Sequence, residues 1–318
     1  MGSIRLSSRY FNEVRYNPER NTVTKLSQDS AKLINELYWY IKLPRSLQHY
    51  TPEIINYSEH QLNTFIEMEY INAPTLSELF VNSETPIREW EEYILPKINV
   101  ILKEFSQHKS AVNSMDLSQM YITKTINRLK QFIQTNSIAF GIYKRGYLKL
   151  NGTLMKCPLR FLEENSNLLT YVINQAKSSV IHGDLCFSNM FFDLKRKEIK
   201  IIDPRGSFGQ VGIYGDLHYD MAKLQHSLTG YDHIISDNFQ INIQGIELDY
   251  RINQTQYHKK ITDIWKGSYY NQTCINLIEA LLFLSMIPLH KGDFKRQLAM
   301  YSLGVELLQK NDTGRRTT

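Results

Sequence analysis

The change in hydrophobic pattern along the chain constrains its fold most strongly. Up to Pro74, apolar and polar residues alternate in short runs such as 12–16, which is typical of β-strands. Residues 17–21 follow that run, carry Asn, Pro and Asn, and are predicted to form a hairpin turn. Beyond Pro74, apolar residues recur at helical spacing in long segments such as 90–107 and 161–177. The chain therefore combines a small β-rich part with a larger part made mainly of helices.

Two lobes follow from this pattern. A helix capped by Asp29 or Ser30 is expected within the β-rich part, whose last predicted strand covers 63–71. The helical part is interrupted by a β-like section over 180–203. We expect an α+β fold in which residues 1–71 form a small β-rich N-terminal lobe and residues 72–318 a larger, mostly helical C-terminal lobe.

The charge balance does not by itself favour a nucleic-acid-binding protein. The chain has 318 residues and a net charge of +5, with 37 Lys and Arg against 32 Asp and Glu. This mild excess is spread along the chain and suits an anionic small ligand as well as a polymer. The densest basic cluster, 195–197, lacks interleaved aromatic residues and is predicted to be the solvated tip of a hairpin.

Cysteine usage and the apolar stretches predict a soluble protein of a reducing compartment. The three cysteines form no CxxC pair, which argues against a disulfide framework or a zinc site. Residues 1–16 have no apolar segment of a secretory signal, and the most apolar stretch, 280–289, is too short to cross a bilayer. We therefore expect a cytoplasmic protein without membrane insertion.

One short segment carries the residue types that phosphoryl transfer requires. Asp184 and Asn189 lie in a loop after a predicted strand, and Asp203 ends the next strand. Oxygen atoms of an Asp and an Asn in such positions can converge on one Mg²⁺, which prefers oxygen ligands. A second carboxylate stays free to accept a proton from an attacking hydroxyl. The pattern predicts metal-dependent phosphoryl transfer, and the alternative is a polar turn between strands.

The same segment supports a family resemblance. Residues 182–184 and Asn189 match the motif His-Gly-Asp-x-x-x-x-Asn, and the chain resembles the aminoglycoside phosphotransferase and choline kinase superfamily. The resemblance covers residues 10–225 in order and implies a protein-kinase-like, two-lobed fold with a nucleotide between the lobes. Segment 202–209 is also similar to kinase-like proteins encoded with bacterial capsule and surface-polysaccharide genes.

The resemblance implies a role for each residue of this segment. Asp184 would orient and deprotonate the acceptor hydroxyl, while Asn189 and Asp203 would hold Mg²⁺ on the nucleotide phosphates. His182 would support the loop rather than react. Arg205 stands where many relatives carry a second acid, so it could bond a phosphate or an anionic acceptor, or pair with a nearby carboxylate.

The region after Asp203 argues against a protein kinase. Only a short stretch separates Asp203 from Asp216, and no Ala-Pro-Glu follows, which leaves little room for a peptide-docking loop. Asp216 and Asp220 match structural acids of the superfamily, which would hold the catalytic loop and cap the next helix. A kinase for small molecules is therefore the better interpretation.

The resemblance also implies a lysine on the third strand and a glutamate on the following helix. Lys25 lies in a strand-like run, and Glu36 lies on the predicted helix after it. The Lys25 ammonium would neutralise nucleotide phosphates, and Glu36 would hold it in place. Glu13 and Glu67 remain alternatives to Glu36.

The nucleotide would also be contacted by two loops. The candidate phosphate loop around Ser8 contains no glycine, although its backbone amides could still reach a phosphate. The connector 67–71 resembles the hinge that binds a purine through its backbone, with Glu69 and Ile71 as the candidate residues. Backbone recognition leaves ATP and GTP as alternative donors.

The acceptor site is the least defined part of the prediction. Tyr121, Lys124 and His290 are weak candidates for its lining, and the abundant aromatic residues are mainly expected in the core. The resemblance implies transfer to a hydroxyl of a small molecule such as a sugar, polyol or amino-alcohol precursor of a surface polysaccharide. The alternative is a pseudokinase, which binds nucleotide or acts as a scaffold without turnover.

Overall fold

A small sheet with one helix forms the first part of the fold. The computed structural model describes residues 4–6, 12–61, 63–266 and 272–313. The first elements are β1 (Ile4–Leu6), β2 (Asn12–Asn17), β3 (Thr22–Ser27), α1 (Ser30–Lys42), β4 (Ile54–Ser58) and β5 (Phe65–Glu69). The five strands form one antiparallel sheet in the order β1-β2-β3-β5-β4. The predicted β-rich character of this part is confirmed.

Local chemistry explains the start of this sheet. The predicted hairpin turn at 17–21 joins β2 to β3, and the side-chain oxygen of Asn17 accepts hydrogen bonds from the backbone of Glu19 and Arg20. Asn21 closes the turn at φ 50°, in the left-handed region that Asn tolerates.

The helix α1 covers one face of the sheet. Its N-cap is Asp29, whose carboxylate accepts a hydrogen bond from the backbone of Lys32 at 3.2 Å. Its apolar face packs against β5, which buries a small cluster consisting of Leu33, Leu37, Ile66 and Met68.

The second part of the fold is mostly helical. In chain order its elements are α2 (Leu76–Asn82), α3 (Ile87–Glu89), α4 (Leu95–Gln107), α5 (Ser114–Ser118), α6 (Lys124–Thr135), α7 (Ser137–Arg145), β6 (Tyr147–Leu150), β7 (Thr153–Lys156), α8 (Pro158–Glu164), α9 (Ser166–Asn174), β8 (Ser178–Val180), β9 (Met190–Asp193), β10 (Glu198–Ile201), β11 (Ser207–Phe208), β12 (Gln210–Val211), β13 (Tyr214–Asp216), α10 (Leu217–His226), α11 (Asp232–Ile235), β14 (Phe239–Gln244), β15 (Glu247–Ile252), α12 (Gln256–Lys266), α13 (Gln272–Met286) and α14 (Phe294–Thr313). Turns of π-helix, Trp90–Ile94 and Gln119–Thr123, join α3 to α4 and α5 to α6.

Two features of this part differ from the sequence prediction. The predicted helix over 161–177 is divided, because the backbone leaves the helical conformation at Asn165 between α8 and α9. A second sheet with the order β14-β15-β6-β7 was not predicted. The sequence signal was present, because Phe239, Ile241 and Ile243 of β14 alternate with polar residues, and these apolar positions are the partly buried ones.

The most apolar helix lies inside the protein. With the turn that follows, α13 spans Gln272–His290, a 19-residue run with hydropathy 1.6 that could cross a membrane by length and composition. The helical run is thus longer than the predicted stretch 280–289. Because 72% of its most apolar window is buried, and because it packs against α6, α10 and α14, its composition is that of a core helix.

Candidate active site

Two buried aspartates hold the loop that follows β8. The carboxylate of Asp220 accepts hydrogen bonds from the backbone N–H groups of His182 at 2.6 Å and Gly183 at 2.8 Å. The carboxylate of Asp216 caps α10 and accepts hydrogen bonds from the Tyr121 hydroxyl at 2.7 Å and the backbone of Lys177 at 2.9 Å. Burial raises the pKa of Asp220 to about 7, although the two N–H groups favour its charged form. These contacts fix the loop to the helical part of the fold.

The ring of His182 supports the loop from within. Its Nδ1 accepts a hydrogen bond from the backbone N–H of Asp184 at 3.3 Å, and its Nε2 lies 2.9 Å from the carbonyl oxygen of Ile202. This pairing requires a neutral ring with its proton on Nε2. Burial lowers the pKa of His182 to about 4, which favours the same neutral form. The geometry thus agrees with a supporting role.

The carboxylate of Asp184 lies between an ammonium and an amide. One oxygen is 2.8 Å from Nζ of Lys223 on α10. The side-chain N–H₂ of Asn189 donates to the backbone carbonyl of Asp184 at 2.9 Å and lies 3.4 Å from the other carboxylate oxygen. The side chain of Asp184 is 26% exposed, whereas that of Lys223 is 6% exposed, so the carboxylate is accessible while its partner is buried. Such a carboxylate can orient and accept a proton from a hydroxyl.

A second ion-pair group connects the sheet to the end of β10. Nζ of Lys25 lies 2.6 Å from a Glu36 carboxylate oxygen and 2.9 Å from Oδ1 of Asp203. Burial by itself would lower the pKa of Lys25, but Glu36 and Asp203 more than offset it, so the pKa is raised and the ammonium stays charged. The side chain of Asp203 is 41% exposed. The group therefore presents a fixed cation and a partly exposed carboxylate.

The alternatives to Glu36 have other partners. Glu67 is buried and accepts from the Thr22 hydroxyl at 2.9 Å and pairs with Arg20 at 2.9 Å. Glu13 pairs with Arg15 at 2.9 Å. The structure therefore brings Lys25 together with Glu36.

The helix α1 packs directly on the loop that follows β8. The indole N–H of Trp39 donates to the carbonyl oxygen of Ile181 at 2.6 Å. Gly206 has φ 64°, and a Cβ there would lie 1.8 Å from the carbonyl oxygen of Asn35. Only glycine permits this close approach, which places Glu36 near Asp203.

The donor set around Asp203 and Asn189 suits Mg²⁺. The backbone N–H of Ile202 donates to the carbonyl of Asn189 at 3.0 Å, which holds the two ligand candidates side by side. Since Asn189 uses its nitrogen on Asp184, its oxygen remains available, and so does the second oxygen of Asp203. No group of three or more His, Cys, Asp or Glu among the described residues could hold a metal alone. Mg²⁺ typically takes one or two protein oxygens and completes its shell with phosphates and water, and these residues fit that pattern.

Other predicted nucleotide residues lie at the end of the small sheet. Glu69 is the last residue of β5 and is exposed, and Ile71 follows in the connector to α2. The backbone N–H of Glu69 donates to the carbonyl of Glu53 at 2.9 Å. Ser8 lies outside the described residues.

The four acceptor candidates have different surroundings. Lys124 and Arg205 both approach the hydroxyl of Tyr219, at 3.4 and 3.3 Å. Tyr121 instead lies in the core at 1% exposure with its hydroxyl on Asp216, so its position is that of a structural residue. His290 is partly buried in the turn after α13, with its ring 6.3 Å from that of Tyr231.

Sequence reasoning missed Lys223 and Tyr219. Both lie on α10, one turn apart, and they flank Asp220 in the chain. The available signal was this spacing, because residues four apart share one helix face and Asp220 was already expected at the catalytic loop.

Comparison with known proteins reveals similarity at the level of structure. No protein-family model matches the chain, and no curated protein matches it significantly. A solved structure of a thermostable mutant of the aminoglycoside phosphotransferase APH(4)-Ia, in ternary complex with AMP-PNP and hygromycin B, matches with a TM-score of 0.60 and 10% identity, over 96% of this chain and 93% of that chain. The choline kinase LicA from Streptococcus pneumoniae matches with a TM-score of 0.50 and 11% identity, over 98% of this chain and 94% of that chain. The chain therefore has the kinase-like, two-lobed α+β fold of these phosphotransferases.

Proposed function

We propose that this protein is a Mg²⁺-dependent phosphotransferase that moves the γ-phosphate of ATP to a hydroxyl of a small molecule. The observation that carries the proposal is the joint placement of two groups in one fold. Lys25, Glu36 and Asp203 form a connected ion-pair group, and Asp184 with Asn189 forms a second group beside it. Phosphoryl transfer requires this combination of a phosphate-binding cation, metal ligands and a carboxylate for the nucleophile.

Each residue has a distinct task in the proposed reaction. Lys25 binds phosphate oxygens of the nucleotide, and Asn189 and Asp203 provide the protein ligands for Mg²⁺. When bound, Mg²⁺ would neutralise charge on the phosphates. Asp184 orients the acceptor hydroxyl and takes its proton, while Lys223 holds the carboxylate in place from the buried side.

The nucleotide is proposed to lie at the connector between the sheet and α2. Backbone groups near Glu69 and Ile71 would bind the purine, and the loop around Ser8 would approach the phosphates. Neighbouring solved structures contain AMP-PNP or ADP, which favours ATP as the donor. GTP has no support from these complexes.

The acceptor is proposed to be a sugar, polyol or amino-alcohol precursor of a surface polysaccharide. Support comes from the resemblance of segment 202–209 to kinase-like proteins of such gene clusters. The APH(4)-Ia complex contains hygromycin B together with AMP-PNP, which supports a small molecule as the second ligand of this fold. The acceptor would lie beside Asp184, towards α6 and α10.

The proposal is tested by measuring Mg²⁺-dependent release of ADP from ATP in the presence of sugars, polyols, amino alcohols and aminoglycosides. Release that is stimulated by one class of acceptor and abolished in Asp184→Asn is the expected result. Absence of nucleotide binding, measured by calorimetry with ADP and Mg²⁺, would support the pseudokinase alternative or a scaffold.

A further inference from the structure

Basic side chains converge on one buried tyrosine near Asp184. Nζ of Lys124 lies 3.4 Å from the Tyr219 hydroxyl and 5.1 Å from the centre of its ring. A guanidinium nitrogen of Arg205 lies 3.3 Å from the same hydroxyl. Arg128 lies one turn beyond Lys124 on α6 and donates to the carbonyl oxygen of Ser285 at 2.8 Å. Its pKa is lowered, mainly by burial and also by the charge of Arg205. We call Lys124, Arg128 and Arg205 the cationic cluster.

The elements that carry the cluster place it beside the proposed reaction centre. Lys124 and Arg128 share one face of α6, because residues four apart lie on the same side of a helix. Tyr219 and Lys223 share one face of α10 for the same reason, and Lys223 contacts the carboxylate of Asp184 at 2.8 Å. The tyrosine that the cluster surrounds is thus one helical turn from the lysine that contacts Asp184.

The third member is fixed by the catalytic loop itself. The backbone N–H of Arg205 donates to the carbonyl of His182 at 2.9 Å. Gly183 has φ 78°, and a Cβ there would lie 2.8 Å from Cβ of Arg205, so the loop leaves room for the arginine stem. Arg205 therefore moves with the loop that contains Asp184.

The positive charge of the cluster is not neutralised within the described part of the chain. No carboxylate of a described residue lies within 4.0 Å of Lys124, Arg128 or Arg205, although fifteen other such pairs occur. Burial is the main reason that the pKa of Lys124 is well below its usual range. The neighbouring charges of Arg205, Arg128 and Lys223 act in the same direction, and Asp184 opposes them only in part. Partly buried cations without a counterion are unfavourable, so an anion at this position would be bound favourably.

We propose that the acceptor of this phosphotransferase carries an anionic oxygen group, a phosphate or a carboxylate, which Lys124, Arg128 and Arg205 bind beside Tyr219 while its hydroxyl meets Asp184. This inference rests on the proposed function and narrows its substrate class. An acceptor with an ammonium group at the same place would meet the positive charges of Arg128 and Arg205 and the donor group of Lys124, which disfavours it. The planar guanidinium of Arg205 suits two-point contact with either oxygen group.

The test compares small acceptors that share a carbon skeleton within each set and differ in the anionic group that they carry. Glycerol 3-phosphate, glycerate and glycerol form one set, and glucose 1-phosphate, glucuronate and glucose form another, with choline as the cationic acceptor. The readouts are acceptor-stimulated ADP release and, independently of turnover, the thermal shift of the protein with ADP and Mg²⁺ present. We expect at least one phosphorylated or carboxylated compound to bind about tenfold or more tightly than its neutral counterpart, and the two charged members of each set distinguish phosphate from carboxylate.

Variants assign the effect to the cluster. Lys124→Met and Arg205→Gln should each weaken binding of the anionic compound about tenfold, while Lys130→Met, an exposed lysine of the same helix, should leave it unchanged. Arg128→Gln serves as a third variant if one of the others does not fold. Neutral compounds or choline that bind as well as the anions would overturn the proposal. The proposal would also be overturned if the variants weakened the binding of ATP more than that of ADP and left acceptor binding unchanged. The cluster would then bind the γ-phosphate of the nucleotide.

The two proposals fail in different ways. If ADP and Mg²⁺ bind but no compound of either set accepts a phosphate, while Lys124→Met still abolishes the anion-induced thermal shift, the proposed function is weakened and the anion site is supported. If choline or glucose is phosphorylated efficiently, the proposed function is supported and the anion site is wrong.

Discussion

Nζ of Lys223 lies 2.8 Å from the carboxylate of Asp184, and the lysine reaches it from a different element, the helix α10. The lysine is buried, and its pKa is raised because Asp184 more than offsets the effect of burial. A charged group thus holds one oxygen of the carboxylate, while the other lies 3.4 Å from the side-chain nitrogen of Asn189. This arrangement makes Lys223 a positioning residue for the proposed reaction.

Replacing Lys223 should therefore lower kcat more than it raises KM. Loss of a charged hydrogen-bond donor costs about 1.5–3 kcal/mol, so Lys223→Met should lower kcat about 10- to 100-fold. The measurement is steady-state kinetics with ATP and an active acceptor. Lys223→Arg should recover part of the rate, and Lys130→Met should match the wild type. A rise in the KM for ATP with an unchanged kcat in Lys223→Met would contradict a positioning role.

Variants of the Lys25–Glu36 ion pair should change protein stability and nucleotide binding in different ways. Lys25→Met leaves the buried Glu36 carboxylate without its main cation, which should lower the free energy of unfolding by about 3–5 kcal/mol. The double variant Lys25→Met/Glu36→Leu should recover most of that loss in urea unfolding, since no buried charge stays unpaired. Nucleotide binding should stay weak in both variants, and recovery of binding in the double variant would argue against a phosphate-binding role for Lys25.

Asn189 should contribute to the increase in nucleotide affinity that Mg²⁺ causes. In the wild type, ADP should bind more tightly when Mg²⁺ is added, because Asn189 and Asp203 supply the protein ligands. Asn189→Ala should reduce this gain about tenfold or more, whereas Asn189→Asp keeps an oxygen ligand and should retain more of it. Calorimetry with and without Mg²⁺ measures the effect. An unchanged gain in Asn189→Ala would place the metal elsewhere.

His226 should make the protein less stable in mild acid. Its ring stacks between Tyr231 at 4.3 Å and Phe283 at 4.1 Å, and neither nitrogen has a hydrogen-bond partner among the described residues. Burial, with Lys223 close by, holds the pKa of His226 well below 6.5. The unfolded chain binds this proton below about pH 6.5 and the folded chain does not, so stability is complete above that pH and falls as the pH drops.

The variant His226→Phe measures this contribution. It keeps an aromatic ring of similar size and removes the proton site, so it should reduce the acid loss by up to about 1.4 kcal/mol for each pH unit below 6.5. Urea unfolding at about pH 7.5 and about pH 5 gives the comparison. The same loss in the variant and the wild type would show that other groups cause the acid sensitivity.

Much of the fold could be predicted from the sequence because its signals are local. The hairpin turn at 17–21, the cap at Asp29 and the long apolar periods each depend on neighbouring residues, and the structure contains them. The second sheet was missed although its strands β14 and β15 alternate apolar and polar residues, which is a local strand pattern. Its strand order has no local signal, because β6 pairs with β15, far away along the chain.

The residues of the candidate site also differ in how clearly the sequence reveals them. Asp184, Asn189 and Asp203 could be found because they lie in one motif segment. Lys223 has no motif of its own, and its importance depends on how α10 packs against the loop. Tyr121 was expected near the acceptor, but its helix buries it against Asp216, since a helical period does not tell which buried face meets a pocket and which meets the core.

The most direct test of the proposed reaction measures transfer of the γ-phosphate to the acceptor. ATP labelled on its γ-phosphate would be incubated with Mg²⁺, an active acceptor and either the wild type or Asp184→Asn, and the label in the acceptor would be counted. We expect phosphate transfer by the wild type and a decrease in the transfer rate of about a thousandfold or more in the variant. The affinity for ADP and Mg²⁺ should change only a few-fold. Equal loss of nucleotide binding and transfer, or transfer that persists in Asp184→Asn, would contradict the role assigned to Asp184.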